Sequence, residues 1–300
     1  MELLKNCMLC PRKCGINRYE KIGVCGANNK IKVAYYSLHM WEEPPISGKN
    51  GSGTIFFSNC NLKCVYCQNK KISLDGYGKY VSMKRLKEIM LELQEKKAHN
   101  INLVTPTHYV PQIASVLKKI KNKELNIPVV YNTSSYENIG TLMMMKGLVD
   151  IYLADLRYYD DKLGEKYSLC KDYFETATMA IDEMYRQVGG ILLDSDGMIK
   201  RGLVVRVLIL PGHVEDAKNI IKYLYKTYKD EIFISIMNQY TPMNKSCDYP
   251  EINKPLNPKH YESLIDYAAS LGVKNAFIQE SGTNSKAYVP SFKYEGVMKK

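Results

Sequence analysis

The feature that most constrains this fold is a regular alternation of short apolar runs and amphipathic stretches, which begins near residue 53. The apolar runs predict six strands, at residues 54–58, 101–104, 128–131, 149–153, 203–210 and 232–237, with an extra strand at 275–278. Apolar residues at helical spacing predict helices from Ser82, as an N-cap, to about residue 97, at 111–120, through 143–145 and at 172–188. Such alternation is typical of parallel βαβ units. We therefore expect an α/β protein in which residues 51–300 form a partial (β/α)6 TIM-like barrel with C-terminal elements.

Composition and cysteine usage bound the class of protein. The chain has 300 residues, of which 45% are hydrophobic and 24% are charged, as is ordinary for a globular protein. No apolar run approaches the ~18 residues that a membrane helix needs, and residues 1–7 lack the apolar core of a signal peptide. Nine cysteines in such a chain indicate metal ligands rather than disulfides. We therefore expect a cytoplasmic protein in a reducing compartment, with no membrane partner.

The basic charge balance leaves several partners open. A net charge of +11 permits an anionic substrate or RNA. Its clusters, such as residues 118–123, fall at predicted helix ends, where lysines suit the helix dipole. Because no RNA-binding motif is recognisable, we do not expect a nucleic-acid partner.

Three cysteines follow the first predicted strand in a C-x3-C-x2-C pattern, Cys60, Cys64 and Cys67. Thiolates select iron–sulfur clusters, zinc or Cu(I), and a [4Fe–4S] cluster normally takes four cysteines. The pattern supplies three, so one iron would stay open to another ligand, as catalytic metal sites do. A zinc knuckle and buried structural cysteines are the alternatives. We prefer the cluster, since the pattern has no nearby fourth cysteine.

A second set of cysteines lies in residues 1–50, which we expect to form a small metal-binding extension before the barrel. Its members are Cys7, Cys10, Cys14 and Cys25, spaced C-x2-C-x3-C-x10-C. Four thiolates close a tetrahedral site, and a short extension buries too little core to fold without a staple. Zinc is slightly preferred over a second iron–sulfur cluster, and four unligated thiols are the alternative. We expect this metal to be structural and distant from the chemistry.

Polar residues follow the predicted barrel strands at their carboxyl ends, where such barrels place their active sites. These segments are residues 105–109, 132–135, 155–159, 210–213 and 238–242. Arg206 interrupts an otherwise apolar strand, so it needs an anionic or strongly accepting partner, and Asp155 is one candidate. Residues 41–48 contain paired prolines and a glycine, which predict a loop.

Several residues of these segments are weaker candidates. Substrate orientation is a possible role for His108, Tyr109, His213 and Tyr240, although residues of these types are more often structural. The remaining cysteines, Cys170 and Cys247, are most simply plain thiols. Of the two, Cys247 is the better candidate for a place at a pocket mouth.

The C-x3-C-x2-C pattern, with an aromatic residue before its third cysteine, resembles the signature of the radical S-adenosylmethionine (SAM) superfamily. The resemblance implies that Cys60, Cys64 and Cys67 hold three irons of a [4Fe–4S] cluster. The amino and carboxylate groups of SAM would chelate the fourth iron, with Tyr66 at the adenine. It also implies reductive cleavage of SAM to a 5′-deoxyadenosyl radical, which takes a hydrogen atom from a substrate. The one-electron donor would be a protein such as flavodoxin or ferredoxin.

A narrower resemblance connects the chain to pyruvate formate-lyase activating enzyme and its uncharacterised relatives with an N-terminal four-cysteine motif. Asp155-Leu156-Arg157 resembles the Asp-Leu-Lys of glycyl-radical activating enzymes, whose charged ends bind SAM. Arg206 resembles their strand-five arginine, which makes the SAM carboxylate a second candidate partner for it. Asn132 and Ser134 are in the place of their ribose contacts.

The clear departure from that family follows the second strand. Where the family has Gly-Gly-Glu to receive the SAM amino group, this chain has Thr105-Pro106-Thr107. The hydroxyls of Thr105 and Thr107 can accept from an ammonium, but they lack the carboxylate charge.

Three functions follow from these observations. The first is an activase that makes a glycyl radical on a partner enzyme, and the second is a radical SAM enzyme acting on a small molecule or RNA. The third is an iron–sulfur electron carrier or sensor without SAM chemistry. A carrier has no need of a polar rim, so the five polar segments favour the first two.

Overall fold

The computed structural model describes residues 1–279, Phe292, Val297 and Met298, so most of the predicted C-terminal elements beyond residue 279 lie outside the described residues. The strands are β1 (Ile31–His39), β2 (Ser52–Phe57), β3 (Lys79–Val81), β4 (Ile101–Val104), β5 (Val129–Thr133), β6 (Ile151–Asp155), β7 (Leu192–Leu193), β8 (Ile199–Leu208), β9 (Phe233–Met237) and β10 (Ala276–Ile278). The helices are α1 (Pro44–Ser47), α2 (Lys70–Ser73), α3 (Met83–Glu95), α4 (Val110–Ile120), α5 (Ile139–Met143), α6 (Asp161–Ser168), α7 (Tyr173–Val188), α8 (Val214–Tyr228) and α9 (Pro258–Ser270). Short 3-10 turns cover Glu2–Leu4, Thr107–Tyr109, Lys229–Glu231 and Asn244–Asp248.

These strands form one sheet in the order β10-β9-β8-β6-β5-β4-β2-β1-β3, with β7 beside β8. Neighbours from β2 to β10 along this path pair in parallel, whereas β1 pairs antiparallel with β2 and β3 antiparallel with β1. The path ends at β3 and β10 and does not close on itself. The predicted α/β class and partial, TIM-like barrel are therefore confirmed.

The barrel strands are mostly apolar because both of their faces are buried. On β5, Tyr131 belongs to the main core under the helices, whereas its neighbour Val130 packs inside the barrel. The same alternation on β6 sends Tyr152 outward and Leu153 inward. Because successive side chains point to opposite faces, the residues two places further along, such as Asn132 and Asp155, also face the interior.

Residues 41–47, which we call the plug, close the barrel at the amino ends of its strands. A loop was predicted here, but the paired prolines begin the short helix α1, since proline suits the first turn of a helix. Ile46 is fully buried against the inner core of Val130, Leu153 and Val204. Asn100 Nδ2 donates to the Ile46 carbonyl oxygen at 2.7 Å.

Part of the segment before the first barrel strand, residues 31–47, packs against the barrel. Strand β1 joins the sheet and the plug fills the barrel, so residues 31–47 pack with the strands that follow them. The expected domain boundary near residue 50 stays a prediction. Among the residues that the structure describes, no helix is both long and apolar enough to cross a membrane.

Candidate active site

A cavity of about 340 Å³ lies at the carboxyl ends of the parallel strands, below the C-x3-C-x2-C loop. Most of the residues that the sequence singled out line it together. They are Cys60, Cys64, Tyr66, Cys67, Thr105, Asn132, Ser134, Asp155, Arg157, Arg206 and Tyr240. The strand order explains this gathering, because parallel strands bring the residues after their carboxyl ends to one rim.

The three thiols of the loop each have a polar neighbour at the sulfur. Ser168 Oγ donates to Cys64 Sγ at 2.9 Å, and Arg157 Nη1 lies 4.0 Å from the same sulfur. The Leu62 amide lies 3.4 Å from Cys60 Sγ, and Ser73 Oγ lies 3.1 Å from Cys67 Sγ. Donors at the sulfur stabilise a metal-bound thiolate, so this set of residues fits an iron–sulfur cluster.

Burial works against free thiolates in this loop. Desolvation raises the pKa of Cys60 to about 12 and also raises the pKa of Cys67. At neutral pH these two sulfurs are therefore protonated unless a cation replaces the proton. A metal centre is the cation that three cysteines lining one cavity select, although among the described residues neither this set nor any other is arranged around a single metal ion.

A chain of hydroxyls fixes the aromatic residue of the loop. The hydroxyl oxygens of Tyr66 and Tyr158 lie 2.6 Å apart, and Tyr158 continues to Ser168 at 2.7 Å. Since Ser168 also donates to Cys64, one network orients both the Tyr66 ring and a thiol. Tyr240 contacts Tyr66 edge-on, with ring centroids 5.9 Å apart.

Arg206 lines the cavity and uses three of its nitrogens. Its Nε donates to Asp155 Oδ1 at 2.8 Å, and Nη2 donates to Asn132 Oδ1 at 2.7 Å. Its Nη1 lies 3.2 Å from Glu42 Oε2. Asp155 in turn pairs with Arg157 at 2.5 Å. The expectation that this buried arginine needs an anionic partner is confirmed, and among the described residues Asp155 and Glu42 lie within ion-pair distance of it.

Glu42 was not predicted as a site residue. It belongs to the plug and extends into the barrel, where Asn102 Nδ2 donates to its Oε1 at 2.9 Å. Burial raises its pKa, and Arg206 acts in the opposite direction. The Thr105-Pro106-Thr107 segment lacks the glutamate that activating enzymes have at this place. Glu42, from another part of the chain, supplies a carboxylate to the same cavity.

Thr107 is not among the residues that line the cavity, unlike Thr105. The backbone turns sharply after β4, because Thr105 takes a left-handed conformation with φ of 57°. The 3-10 turn that follows places Thr107 on the outer side of the sheet, where its hydroxyl donates to Glu137 Oε1 at 2.6 Å. A contact between Thr107 and a ligand in this cavity is therefore not supported.

Three of the four candidates for substrate orientation do not line the cavity and make structural contacts elsewhere. His108 Nε2 lies 2.8 Å from the Ser58 carbonyl oxygen, and Tyr109 packs against the ring of Phe57. His213 contacts the Tyr167 hydroxyl at 2.9 Å. Tyr240 is the one of the four that lines the cavity.

Neither of the two remaining cysteines is part of this site. Cys170 is buried beside the Gly164 carbonyl oxygen. Cys247 is exposed, and its sulfur lies 3.5 Å from the Asn244 carbonyl oxygen.

The four N-terminal cysteines lie in one compact loop. Cys7, Cys10 and Cys25 are buried and Cys14 is half-buried. Gly23 packs between two sulfurs, since a Cβ at Gly23 would lie 3.3 Å from Cys25 Sγ and 3.8 Å from Cys14 Sγ. Within the described ranges, no three His, Cys, Asp or Glu side chains are arranged to hold a single metal ion. The assignment of these cysteines as ligands stays a prediction.

The expectation that the N-terminal site is distant from the chemistry is wrong. The Cys60 amide donates to the Cys25 carbonyl oxygen at 3.3 Å, which joins the two cysteine loops directly. Arg12 strengthens the junction, since its Nε donates to the Asn61 carbonyl oxygen at 2.9 Å. Sequence spacing gave no sign of this contact, because the two loops are brought together by the pairing of β1 with β2.

The fold and the site together define a class of protein: a partial barrel that presents three thiols and a charged cavity at the carboxyl ends of its strands. Residues 54–224 match the family model of the radical SAM superfamily. The chain is also 31% identical over 278 residues to an uncharacterised protein of Methanocaldococcus jannaschii, across 89% of this chain and 75% of that one. The chain belongs to the radical SAM superfamily.

Solved structures of similar fold include two of one protein. One is Streptococcus suis SuiB bound to the precursor peptide SuiA, with a TM-score of 0.52 and 14% identity over 75% of this chain and 47% of that one. Another is SuiB bound to S-adenosylmethionine, also at 0.52 and 14%, over 74% and 48%. This chain spans about half the length of those structures, and at this identity the likeness shows the fold alone.

Proposed function

We propose that this protein is an enzyme that cleaves SAM reductively at a [4Fe–4S] cluster on Cys60, Cys64 and Cys67, and that it takes a hydrogen atom from a substrate. The observation that carries the proposal is that these three thiols share one cavity with Asp155, Arg157 and Arg206. When bound, the cluster would supply one electron to the sulfonium of SAM and so release the 5′-deoxyadenosyl radical. The residues around it bind and orient SAM and keep water away.

The cavity residues divide this work by charge. Asp155 and Glu42 are the carboxylates available to the SAM amino group, and Arg157 and Arg206 are the cations available to its carboxylate. Asn132, Ser134 and Thr105 offer polar contacts to the ribose and amino groups, with Tyr66 at the adenine. Thr107 is left out of this set because its hydroxyl bonds to Glu137.

The substrate that we favour is a main-chain glycine of a partner enzyme, which makes this protein a glycyl-radical activase. Its support is the Asp155-Leu156-Arg157 segment at the end of β6 and Arg206 on β8, which resemble the activating enzymes in sequence and contribute charged side chains to one cavity. SuiB, of similar fold, was solved with a precursor peptide, so this fold admits a peptide substrate.

A small-molecule substrate is the second candidate, and the buried charges of Glu42 and Arg206 favour it. Glu42 and Arg206 lie deep in the barrel, where they would pair with a charged small molecule. RNA has the basic net charge as its support. A carrier or sensor without SAM chemistry would not need this cavity. In each case the donor would be a one-electron protein such as flavodoxin or ferredoxin, and a cytoplasmic, reducing location would suit the thiolate sites.

Electron paramagnetic resonance (EPR) of the anaerobically reconstituted protein tests the central assignment. We expect a [4Fe–4S]⁺ signal that changes shape when SAM is added, and formation of 5′-deoxyadenosine under reducing conditions. Cys64→Ala should lose the SAM-responsive signal and all SAM cleavage. Cys247→Ala, which removes an exposed thiol outside the cavity, should keep both. Full SAM cleavage by Cys64→Ala would contradict the assignment.

The second proposed centre is a metal on Cys7, Cys10, Cys14 and Cys25. Its support is the gathering of four thiols in a loop with little core of its own, formed by Leu4, Cys7 and Leu9. We expect a folded Cys7→Ser, Cys10→Ser variant to lose one metal centre, measured as zinc and iron per chain. Equal zinc and iron contents in the variant and the wild type would mean that these thiols are not ligands.

A further inference from the structure

The N-terminal cysteine loop contains a buried cation that lacks an anionic partner among the described carboxylates. Arg18 is 1% exposed, and its guanidinium donates to the carbonyl oxygens of Asn28 and His108. Within the part of the chain that the structure describes, no Asp or Glu oxygen lies within ion-pair range of it, whereas Cys7 Sγ lies 4.0 Å away. Arginine keeps its proton in proteins, so two carbonyl oxygens and the Tyr109 ring, 5.9 Å away, solvate this charge without neutralising it.

This environment selects a negatively charged thiolate site over four protonated thiols. Cys7 and Cys25 are buried near Arg18, and metal-bound thiolates would give the loop the negative charge that the guanidinium requires. Zinc and iron–sulfur centres both meet this need. The contact between this loop and the loop of Cys60, Cys64 and Cys67 is what leads us to prefer an iron–sulfur centre over zinc.

The loop touches the proposed SAM-binding centre through the backbone of a ligand on each side. The Cys60 amide donates to the Cys25 carbonyl oxygen at 3.3 Å. Gly26, with φ of +90°, permits this approach, since a Cβ there would lie 2.5 Å from Asn59 Nδ2. The path from Cys25 Sγ to Cys60 Sγ therefore crosses two short side chains and one hydrogen bond. Because the rate of electron tunnelling falls steeply with distance, two metal centres joined by so short a path would exchange electrons rapidly.

On this basis, which rests on the proposed SAM chemistry, we propose that the N-terminal cysteines hold a redox-active iron–sulfur cluster that passes electrons to the SAM-binding cluster. One electron leaves a reduced carrier protein, reduces the N-terminal cluster and then reduces the cluster on Cys60, Cys64 and Cys67. The carrier is oxidised, and no bond or proton changes place in this step. Zinc has no redox chemistry and would not serve.

The outer side of the loop suits such a carrier. Cys14, the least buried of the four cysteines, faces the surface next to the exposed Lys13. In the same segment Lys21 is exposed beside Glu20, and the exposed Lys5 pairs with Glu2 at 3.2 Å, so lysines exceed glutamates there by one. Of the nineteen large hydrophobic side chains that are exposed in the described residues, six lie in residues 1–24. An acidic one-electron carrier of the flavodoxin or ferredoxin class matches a surface of this charge.

Spectroscopy of the reconstituted wild type tests the relay without SAM turnover. We expect about eight irons and no zinc per chain, because each [4Fe–4S] cluster holds four irons. In the dithionite-reduced protein, the two cluster spins should broaden each other and relax faster than either cluster alone. The Cys60→Ala, Cys64→Ala, Cys67→Ala variant and the Cys7→Ser, Cys10→Ser variant supply the separate signals. One zinc per chain, or a wild-type spectrum equal to the sum of the two variants, would overturn the proposal.

Kinetics separate the relay from the SAM chemistry itself. With titanium(III) citrate, a small reductant that reaches the SAM cluster directly, the Cys7→Ser, Cys10→Ser variant should cleave SAM like the wild type. With reduced flavodoxin its rate should fall at least tenfold, and an unchanged rate would overturn the relay. Loss of cleavage by the wild type with both reductants would instead remove the proposed function, while the spin coupling would still report on the relay.

Arg18→Gln tests the cation and remains informative where the double cysteine variant does not fold. Removing a buried positive charge stabilises the oxidised cluster, so the N-terminal signal should require a more negative potential for reduction. The SAM-cluster signal should keep its potential. Arg186→Gln, at an exposed arginine on α7, is the matched control and should shift neither signal. An unchanged N-terminal potential in Arg18→Gln would contradict a thiolate cluster beside Arg18.

Discussion

At the scale of single residues, Arg206 shows how a sequence exposes a functional position. A cation inside an apolar strand predicts a buried anionic partner, and the structure supplies Asp155 at 2.8 Å and Glu42 at 3.2 Å. Asp155 was foreseeable, because it ends a strand that neighbours β8. Glu42 was not, since it lies 164 residues away in the sequence and reaches Arg206 only through the plug.

We expect Arg206→Lys to destabilise the protein by ~2–3 kcal/mol, because one ammonium cannot serve three acceptors and leaves buried partners unpaired. Urea unfolding of the metal-free protein measures this loss. Arg201→Lys is the control, because Arg201 lies on the same strand but is exposed, and its variant should unfold with the wild type. An Arg206→Lys variant of wild-type stability that binds SAM more weakly would show instead that Arg206 serves the cofactor alone.

At the scale of elements, the apolar barrel strands and most helices with a clear hydrophobic period were predictable, and the plug was not. The strands of the barrel and helices α3, α4 and α7 follow the expected segments, and Ser82 accepts from the Arg85 amide at the start of α3. Helix α8 was missed although its sequence carries the signal, since Ala217, Ile220 and Leu224 are buried on one face. The plug has no periodicity to detect, because its helix contains four residues.

The plug makes a prediction of its own through Ile46. This side chain is fully buried inside the barrel, so Ile46→Ala should destabilise the protein by ~2–5 kcal/mol through lost burial and the cavity left behind. Ile139→Ala removes the same atoms from an isoleucine that is 38% exposed, and it should cost much less. Thermal and urea unfolding of both variants decide the matter, and equal losses would mean that residues 41–47 do not pack inside the barrel in solution.

At the scale of the whole molecule, Glu137 lies where the N-terminal extension meets the barrel. Thr107 and Thr133 both donate to its Oε1 at 2.6 Å, and Tyr131 donates at 3.2 Å. The N-terminal loop docks beside it, since the Thr141 hydroxyl donates to the Leu9 carbonyl oxygen at 2.6 Å. Burial raises the pKa of Glu137 from its ordinary value to about 7.

A raised carboxyl pKa in the folded state means that stability is fully present below the unfolded pKa and is lost as pH rises through about 7. Glu137→Gln stays neutral, so its stability relative to wild type should increase by up to ~3 kcal/mol between pH 4.5 and 8. Urea unfolding of metal-free protein across this range measures the difference. The buried His108, whose pKa is lowered to about 3, acts equally in both proteins.

The matched control for this experiment is Glu95→Gln, which removes an exposed carboxylate. This variant measures how much of any pH-dependent difference comes from removing a carboxylate that is not buried. A constant difference for Glu137→Gln would contradict a raised pKa at the junction.

The plug also decides the order of events in the proposed enzyme. With the amino ends of the strands closed by Ile46 and its neighbours, the barrel is a blind chamber that is entered from the side of the cysteine loop. If Glu42 and Arg206 serve a small-molecule substrate rather than SAM, that substrate must arrive before SAM and depart after the SAM fragments. Such an enzyme has a compulsory sequence of binding, and SAM that arrives first traps the chamber in an unproductive state.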